Sequence, residues 1–352
     1  MAVGVIGLHR FAAVALSCPL LALMAPAAAA LAPGGGCGLD GVSHTERPGR
    51  EAGPTPVEIG LFLLDLVEVT DRRQSFTADF NLNLRWRDPR LARPGDESGS
   101  LCIADPQQIW TPRIRLVNER DLKRRFEERL LIDADGNVRY DQRYFGEMTS
   151  RADLSDFPLD ERELVFMLAA VDNLPGDIAF SPNELRTGRV AELSVANWAV
   201  GEQSFSLLPF QALEDLVFAG VTFSFPARRT PGYYVWNTIV PLVLIVLMSW
   251  TVFWVNPAHL GPQIGLAATS MLSLIAYRFT LSGVLPPVSY FTRMDFFLTG
   301  GSFLVFLALV EAVTTSGLAD RGREAAAARI DALARVAFPL SFGAIALYAF
   351  GR

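Results

Sequence analysis

Histidine is nearly absent from this chain, which has only three histidines among 352 residues. His9 lies in an apolar N-terminal stretch, His44 in a glycine- and proline-rich segment, and His259 between two apolar runs. Ser–His and Cys–His nucleophilic sites need a histidine in the folded body, and so does ordinary His-ligated zinc. The sequence offers no paired-carboxylate motif either. It therefore predicts a protein that is not an enzyme and that has no cofactor.

Cysteine is equally scarce, with three residues in all. Cys18 lies in the N-terminal stretch, which leaves Cys37 and Cys102 for the folded protein. In an oxidising compartment these two could form a disulfide. Their spacing does not require one, so paired and free thiols both stay open.

Charged side chains are missing from residues 232–277, a run long enough for two membrane-spanning helices of about 20 residues each. The apolar segments that could span a bilayer are residues 232–255, 261–284, 292–315 and 329–350. The net charge of −6 argues against a nucleic-acid partner. The partner predicted for these segments is a lipid bilayer.

The N-terminus has the parts of a secretory signal. A basic start at His9 and Arg10 precedes an apolar centre and an alanine-rich end, a pattern typical of a cleaved signal peptide. An uncleaved anchor helix is the alternative. We divide the chain into a signal peptide (1–30), a flexible leader (31–56), an exported domain (57–226) and a membrane domain (227–352).

The loop before the fourth apolar segment carries Arg321, Arg323 and Arg329. Cytoplasmic loops are enriched in arginine and lysine, which places this loop in the cytoplasm. Arg228 and Arg229, ahead of the first segment, favour the opposite orientation weakly. The signal peptide decides the matter and puts the N-terminal domain and the C-terminus outside.

The exported domain has the pattern of short β-strands. Apolar and polar residues alternate over residues 76–86, the period of a half-buried strand. Residues 135–137 (Asp-Gly-Asn) predict a hairpin turn between strands at 130–132 and 138–144. Many short strands with turns between them predict an immunoglobulin-like β-sandwich. The fold class is therefore α+β by domain, a sandwich followed by a four-helix transmembrane bundle.

The second apolar segment differs from a helix that faces only lipid, because small and hydroxylated residues recur along it. These residues are Gly265, Ala268, Thr269, Ser270, Ser273, Ala276 and Ser282. Small residues let helices pack closely, or they line a water-filled path. We interpret the segment as the wall of a pore. The alternative is a packing face in a non-conducting bundle.

Four short motifs follow one another in the exported domain. They are Trp86-Arg87-Asp88, Ile109-Trp110-Thr111-Pro112, Asp135-Gly136-Asn137-Val138 and Phe157-Pro158-Leu159-Asp160. With the four apolar segments, this ordered set resembles the pentameric ligand-gated ion channels, the Cys-loop receptor superfamily, from about Pro56 onward. Ser150 and Leu164 stand where animal receptors carry the bridging cysteines. The resemblance is therefore to the bacterial branch, which lacks the Cys-loop disulfide.

The resemblance implies a homopentamer in the bacterial inner membrane, with the sandwich in the periplasm and the second helix around a pore for inorganic ions. The residues it implies for the pore lining are Gly265, Thr269, Leu272, Ala276, Phe279 and Gly283. Their spacing of four and three residues forms one stripe of a helix. Rings of Leu272 and Phe279 are expected to close the path by dewetting, and Thr269 hydroxyls to replace part of an ion's hydration shell.

The implied cytoplasmic mouth is uncharged. Gly261, Pro262 and Gln263 stand where cation-conducting members carry an acidic ring. Residues 262–269 look more like the chloride-conducting receptors, although those have a basic residue at the position of Gln263. Five helix N-termini favour anions modestly, whereas the bacterial members lean towards cations. Cation and anion conduction both stay open, with a slight lean to anions or weak selectivity.

The resemblance also implies a small-molecule agonist site between neighbouring sandwiches. Its residues would be Phe76, Trp110, Arg113, Arg115, Asp141, Phe210 and Phe218, and each aromatic among them has the alternative of a place in the sandwich core. The second loop of the site, residues 168–173, offers neither an aromatic at the usual place nor an acid beside it, and an ammonium ligand needs both. We therefore expect an anionic or zwitterionic ligand met by Arg113 or Arg115, or gating by protons.

Coupling between the domains is implied to involve Glu68, Phe157, Pro158, Asp160, Arg228, Arg229, Pro286 and Pro287. An ion pair of Asp160 or Glu68 with one of the arginines is expected at the membrane surface, with little value unless it is shielded from water. Agonist is expected to tighten the subunit interface and to draw the top of the pore helix outward. A non-conducting, membrane-anchored sensor of periplasmic solutes is the alternative from another class.

Overall fold

The computed structural model describes Cys37, Leu39 and residues 44–94, 101–256, 260–283 and 288–351. A domain of β-strands is followed by four long apolar helices, in agreement with the predicted α+β architecture. The predicted signal peptide (1–30), His259, Pro286 and Pro287 lie outside the described residues.

The strands of the N-terminal domain occupy residues between Thr55 and Arg229. They are β1 (Thr55–Thr70), β2 (Ser75–Arg87), β3 (Cys102–Ala104), β4 (Ile114–Leu116), β5 (Glu119–Arg124), β6 (Leu130–Ile132), β7 (Asn137–Thr149), β8 (Glu161–Ala170), β9 (Ile178–Pro182), β10 (Gly188–Arg189), β11 (Trp198–Val200), β12 (Ser204–Leu207), β13 (Phe210–Leu213) and β14 (Leu216–Arg229).

Two sheets form from these strands. The first has the order β10-β1-β2-β7-β6-β3, with β5 paired to β7 and β9 paired to β1. The second has the order β11-β14-β8-β4, with β12 and β13 also paired to β14. The strands β2 and β8 belong to different sheets, and their side chains meet in a common core, which makes the domain a sandwich.

Aromatic side chains fill the space between the two sheets. Phe76 and Phe80 of β2 contact Phe166 of β8 edge-on, with ring centroids 5.2 and 5.0 Å apart. Phe166 also contacts Phe225 of β14 at 5.8 Å. Such pairs contribute about 0.5–1.5 kcal/mol beyond the burial of their area. The alternation in residues 76–86 therefore predicted the strand correctly.

The predicted hairpin turn at residues 135–137 is confirmed. Gly136 has a φ of 78°, a left-handed conformation that glycine adopts without steric cost. The Asp133 carboxylate accepts hydrogen bonds from the backbone N–H groups of Asp135 and Asn137, at 3.0 and 2.9 Å. The side chain thus fixes the turn that pairs β6 with β7.

Part of the predicted flexible leader (31–56) is attached to the sandwich. Cys37 and Cys102 form a disulfide, which settles the alternative that the sequence left open. The backbone of His44 bonds to Gln108 and Trp110, with N···O distances of 2.9 and 2.8 Å. Glycine and proline content predicted flexibility here, but the disulfide and the backbone bonds hold this segment on the domain.

The membrane helices are α1 (Gly232–Trp254), α2 (Leu260–Ser282), α3 (Arg293–Asp320) and α4 (Glu324–Phe350). Their existence and order were predicted, whereas the connection between α3 and α4 is shorter than expected. Arg329 lies inside α4 rather than in that loop. Residues 325–328 are four alanines, and alanine has the highest helix propensity of any residue. A prediction from hydropathy alone begins the helix too late.

A second core joins the sandwich to the helices. Leu154 and Phe157, from the loop between β7 and β8, are fully buried together with Met294 and Phe297 of α3. The backbone N–H of Met294 donates to the Phe157 carbonyl at 3.2 Å. This loop is therefore packed directly on the membrane domain, at the start of α3.

Candidate pore and gating interface

One face of α2 makes little contact within the protomer. The side chains of Leu272 and Phe279 are 67 % and 76 % exposed, and Gly265, Thr269 and Ala276 are exposed as well. Residues three and four apart share a face of a helix, so these positions form one continuous stripe. The predicted pore-lining residues, Gly283 included, all lie on this exposed side.

The opposite face of α2 packs against the other helices. Ala267, Ser270, Leu274 and Leu281 are buried there. Gln263 is buried on the same face, where its amide nitrogen donates to the Thr315 hydroxyl at 3.3 Å and its amide oxygen accepts from the Ser316 hydroxyl at 2.7 Å. The amide is thus satisfied by α3.

The placement of Gln263 corrects the predicted mouth of the pore. Gln263 precedes Gly265 by two residues, about 200° around a helix of 3.6 residues per turn, so it points away from the exposed stripe. Gly261 and Pro262, four and three residues before Gly265, are exposed. Only these two members of the predicted set extend the stripe.

The Thr269 hydroxyl is bound within its own helix. It donates to the Gly265 carbonyl at 2.8 Å. A hydroxyl has one donor and two acceptor sites, so this bond leaves oxygen lone pairs for the exposed side. The stripe therefore offers acceptor oxygen at the level of Thr269.

Four charged side chains form a cluster at the base of the sandwich, which we call the base cluster: Asp71, Asp160, Arg162 and Arg229. Arg229 bonds Asp160 at 2.6 Å and Asp71 at 2.8 Å. Arg162 bonds the same two carboxylates, at 3.1 and 2.6 Å. The side chains of Asp160, Arg162 and Arg229 are each at most 3 % exposed. Two positive and two negative charges thus compensate one another away from water.

The electrostatics of the base cluster keep Asp160 ionised. Burial alone would raise the pKa of the Asp160 carboxyl, but hydrogen bonds and charge from Arg229 and Arg162 outweigh burial and lower this pKa. Burial would likewise lower the pKa of Arg229, and the two aspartates raise it. Removing one member of a buried pair leaves an uncompensated charge and costs about 3–5 kcal/mol. The ion pairs of the base cluster are therefore shielded from water, which is the condition under which such pairs stabilise a protein appreciably.

Aromatic rings connect the base cluster to the membrane domain. The Arg229 guanidinium lies 4.3 Å from the Trp198 ring and 5.0 Å from the Phe157 ring. Phe157 in turn contacts Tyr234 at the start of α1, with centroids 4.7 Å apart. Arginine stacks favourably on aromatic faces. A displacement of Arg229 would therefore change the packing of Phe157 on Tyr234 at the start of α1 and on the start of α3.

The predicted coupling residues divide into two groups. Phe157, Pro158, Asp160 and Arg229 are buried in or beside the base cluster. Glu68 is exposed and takes no part in it, and Arg228 pairs with Glu161 in water, with the two side chains 75 % and 68 % exposed. The ion pair was thus predicted correctly for Asp160 and Arg229 and not for their alternatives.

Three loops of the sandwich meet beside the predicted agonist residues. The side chain of Asn173 donates to the Pro112 carbonyl at 3.3 Å, and the backbone carbonyl of Asn173 accepts from the Ala219 N–H at 3.0 Å. Arg113, with a φ of 44°, pairs with Asp172 at 3.0 Å. Asp172 of the second loop thus partly neutralises Arg113.

Two clefts open beside these loops. A cleft of about 420 Å³ is lined by Trp110, Arg113 and Asp172 together with Arg47 and Arg50. A neighbouring cleft of about 330 Å³ includes Arg115. Arg115 is exposed, and among the described residues it forms no ion pair. It is the predicted agonist residue best placed to meet an anionic group.

Phe76 is not in the predicted agonist site, because it is only 1 % exposed and contacts Phe166 in the sandwich core. Phe76 is one of the apolar residues of β2 that face the core, and the polar residues that alternate with them face outward. Trp110 is 8 % exposed and packs edge-on to Trp86, with centroids 5.9 Å apart. It both fills the core and borders the cleft.

The remaining predicted agonist residues lie in two separate places. Phe210 of β13 and Phe218 of β14 face one another across the hairpin. Asp141 lies on β7, where it accepts a hydrogen bond from Asn83 and lies 3.6 Å from the Arg186 guanidinium. Within one protomer, Asp141 and the hairpin belong to different sheets.

Comparison with known proteins gives the same two domains. Residues 39–174 match the model of the neurotransmitter-gated ion-channel ligand binding domain, and residues 238–325 match that of the neurotransmitter-gated ion-channel transmembrane region. The two matches together cover more than half of the chain and follow the same order as the sandwich and the helices. The chain belongs to the neurotransmitter-gated ion channel family. It is a multi-pass membrane protein with the domains of a ligand-gated ion channel.

A curated relative of this channel is a proton-gated ion channel from Gloeobacter violaceus (strain ATCC 29082 / PCC 7421). The two are 25 % identical over 291 residues, which is 82 % of this chain and 80 % of the relative. The likeness therefore extends over both domains.

Sequence reasoning missed two members of the base cluster, Asp71 and Arg162, in this channel. Arg162 had a signal, because it shares the inward-facing positions of β8 with Leu164, Phe166 and Leu168. An arginine at such a position needs a buried acid as its partner. Asp71 gave no comparable signal, since it lies in a turn more than ninety residues from Arg162 along the chain.

Proposed function

We propose that five copies of this chain assemble around α2 and form a gated ion pore in a bacterial inner membrane, with the sandwich in the periplasm. The observation that carries this proposal is the exposed stripe of α2. A helix with apolar Leu272 and Phe279 beside Gly265 and Thr269 on one bare face needs a partner for that face, and copies of itself around a water-filled path supply one. The family to which the chain belongs supports the same assembly.

The pore closes where its lining is most apolar. Leu272 and Phe279 are two turns apart on α2 and are the largest side chains on the stripe. Five copies of each would form two apolar rings, and a narrow apolar constriction stops ions by losing its water. The Thr269 ring, one turn further towards the cytoplasm, presents hydroxyl oxygens to permeating ions.

We propose protons on the periplasmic side as the stimulus that opens the pore. The relative from Gloeobacter carries the name of a proton-gated channel. The loop at residues 168–173 has no aromatic side chain, and Asp172 is already paired with Arg113. An ammonium ligand therefore lacks its usual aromatic partner. The competing stimulus is an anionic or zwitterionic ligand held by Arg115.

The signal passes through the base cluster. A rearrangement of the sandwich moves β8 and β14, which carry Arg162 and Arg229. Arg229 is held against Phe157 and Trp198, and Phe157 is bonded to the start of α3. The loop between α2 and α3, with Pro286 and Pro287, is proposed to carry this movement to the top of the pore helix.

Ion flux through the purified protein in liposomes tests the proposal. We expect flux that rises when the medium facing the sandwich is made acidic, and particles with five-fold symmetry in electron micrographs. Protein-free liposomes serve as the control. Five-fold particles without flux under any stimulus would favour the non-conducting sensor. Flux that ignores acid but responds to a small carboxylate would leave the pore and replace the stimulus.

A further inference from the structure

Two carboxyl side chains face each other between α3 and α4, inside the membrane domain. The helices are antiparallel, with Gly300 packed against Ile345 near one end. Towards the other end the same packing places Glu311 of α3 beside Asp331 of α4, with their carboxyl groups within hydrogen-bonding reach. Glu311 is nine residues before the end of α3, about 14 Å at a rise of 1.5 Å per residue. The pair therefore lies within the spanning segments.

Both carboxyl groups are shielded from solvent. Asp331 is 1 % exposed, and no carboxyl oxygen of Asp331 or Glu311 is accessible. None of these four oxygens has a hydrogen-bond partner among the described residues. An isolated charged carboxylate in an apolar interior costs several kcal/mol even after relaxation, and two in contact add mutual repulsion.

The donors near the pair bond to other acceptors. The Thr315 hydroxyl donates to the backbone carbonyl of Glu311 at 3.0 Å rather than to its carboxylate. Arg335, one turn beyond Asp331 on α4, directs Nε to the Phe253 carbonyl at 2.9 Å, and its guanidinium lies 4.7 Å from the Trp254 ring. Among the described residues, neither side chain donates to the pair.

The other charged or titratable groups of the packed helices lie away from the pair. The α1 helix has only its tyrosines, at the opposite end. On α2, Arg278 bonds Ser302 and Thr299 near the outer end. The remaining charged groups of α3 and α4 lie at or near helix ends or are exposed: Arg293, Asp295, Asp320, Glu324 and Arg329. Tyr348 lies at the outer end of α4. No positive charge from these groups reaches the two carboxylates.

We propose that Glu311 and Asp331 form an intramembrane proton-binding site, in which the two carboxyl groups share one proton. Two carboxylates offer only acceptors, which is why the four oxygens have no donor. One bound proton turns one group into a donor, supplies the missing hydrogen bond and removes one of the two buried charges. Carboxyl pairs that share a proton are the established outcome of such contact. The ligand of this site is the proton.

The site has a consequence for the packing of α4. With the proton bound, the hydrogen bond holds the inner half of α4 on α3. Without it, two like charges push the helices apart. The existence of the site stands apart from the proposed channel function, whereas any role in acid gating rests on that function.

Infrared spectroscopy of the full-length protein in detergent tests the site directly. We expect the wild type at neutral pH to show the C=O absorption of a buried protonated carboxyl group, and the isosteric double variant E311Q/D331N to lose it. The variant D320N/E324Q removes two exposed carboxylates from the same helices and should keep the band. Absence of the band from wild type would overturn the proposal.

Thermal unfolding against pH gives a second measurement. The unfolded chain releases its carboxyl protons near pH 4, whereas the folded pair keeps one, so the Tm of wild type should fall as the pH rises above about 4 until the pair itself loses its proton. In E311Q the amide donates to Asp331 at every pH, and this fall should be lost. A fall that E311Q retains would count against the shared proton.

Two further outcomes separate the alternatives. If sodium or calcium ions raise the Tm of wild type but not of E311Q/D331N, and the carboxyl band is missing, the pair binds a metal cation and the proton site is wrong. If the band is present while the protein conducts no ions, the proton site stands and the proposed function fails.

Discussion

Asp160 is the residue on which both buried arginines of the base cluster depend. Asp71 alone cannot balance Arg162 and Arg229, so D160N should lower the free energy of unfolding by about 3 kcal/mol, the cost of breaking a buried ion pair. Denaturant unfolding can be followed by tryptophan fluorescence, because Trp198 stacks on both guanidinium groups. A loss below about 1 kcal/mol would mean that water reaches the cluster.

The adjacent residue supplies the control. Glu161 pairs with Arg228, and both side chains are largely exposed. E161Q removes one charge of the same sign at the next position in the chain, and it should change the free energy of unfolding by less than about 1 kcal/mol. Equal effects of D160N and E161Q would show that burial does not set the strength of these pairs.

The pH dependence of the cluster follows from the direction of the Asp160 shift. The pKa of this carboxyl is lowered in the folded protein, so its contribution is complete above the unfolded value of about 3.9 and is lost as the pH falls towards the lower folded value. The difference in Tm between wild type and D160N should stay constant from neutral pH to about pH 5 and shrink below about pH 4. A difference that shrinks already in mild acid would contradict this assignment.

This result bears on the proton stimulus. A carboxylate that stays charged in mild acid cannot be the group that senses mild acid. In the proposed mechanism Asp160 would therefore transmit the opening signal without detecting it, and a different titratable group would be the sensor.

At the scale of single elements, the two faces of α2 should respond differently to the same substitution. Leu272 is exposed within the protomer and Leu274 is 2 % exposed. L272A widens the proposed apolar ring and should raise basal flux in liposomes about tenfold, equivalent to about 1.4 kcal/mol on the closed-to-open equilibrium. L274A leaves a cavity between helices and should cost about 3 kcal/mol of stability without opening the pore. Leak from L274A but not from L272A would reverse the assignment of the faces.

The sequence predicted elements well where one local pattern decides them. Alternation placed β2, the Asp-Gly-Asn turn placed the β6–β7 hairpin, and hydropathy found the four membrane helices of the described residues. Predictions differed from the structure where two sequence patterns favour different element boundaries, or where a contact between distant residues fixes the local conformation. Alanine propensity extends α4 beyond its apolar part, and the Cys37–Cys102 disulfide fixes a segment whose composition predicted flexibility.

The candidate site divides in the same way. The stripe on α2 came from the register that the resemblance implies, and helical periodicity places these residues on one face. The resemblance implied a place for Phe76 in the agonist site. The alternation of apolar and polar residues in β2 instead puts its side chain inside the sandwich, where the structure has it. The base cluster needed the fold, since Asp71, Asp160 and Arg229 come from three separate parts of the chain.

At the scale of the whole molecule, the function proposed for the α2 residues depends on their repetition around the axis of the proposed pentamer. A single Leu272 is an exposed apolar side chain, whereas five of them would form a constriction in the proposed pentamer. The same holds at the proposed cytoplasmic mouth, where the sequence left cation and anion conduction open. In that assembly the positions on the exposed stripe face the path, so charge placed on them acts on permeating ions most directly.

Charge placed at the mouth should therefore act at Pro262 and not at Gln263. P262E puts five carboxylates around the exposed stripe, and such a ring creates a potential of several kT that attracts cations. In salt gradients across liposomes, its reversal potential should shift towards the cation equilibrium value. Q263E adds the same charge beside Thr315 and Ser316, where it faces α3 and costs stability because a carboxylate is buried. Its reversal potential should match that of wild type. If Q263E shifted selectivity and P262E did not, α2 would be rotated in the open channel by about half a turn from the orientation that its packing on α3 defines.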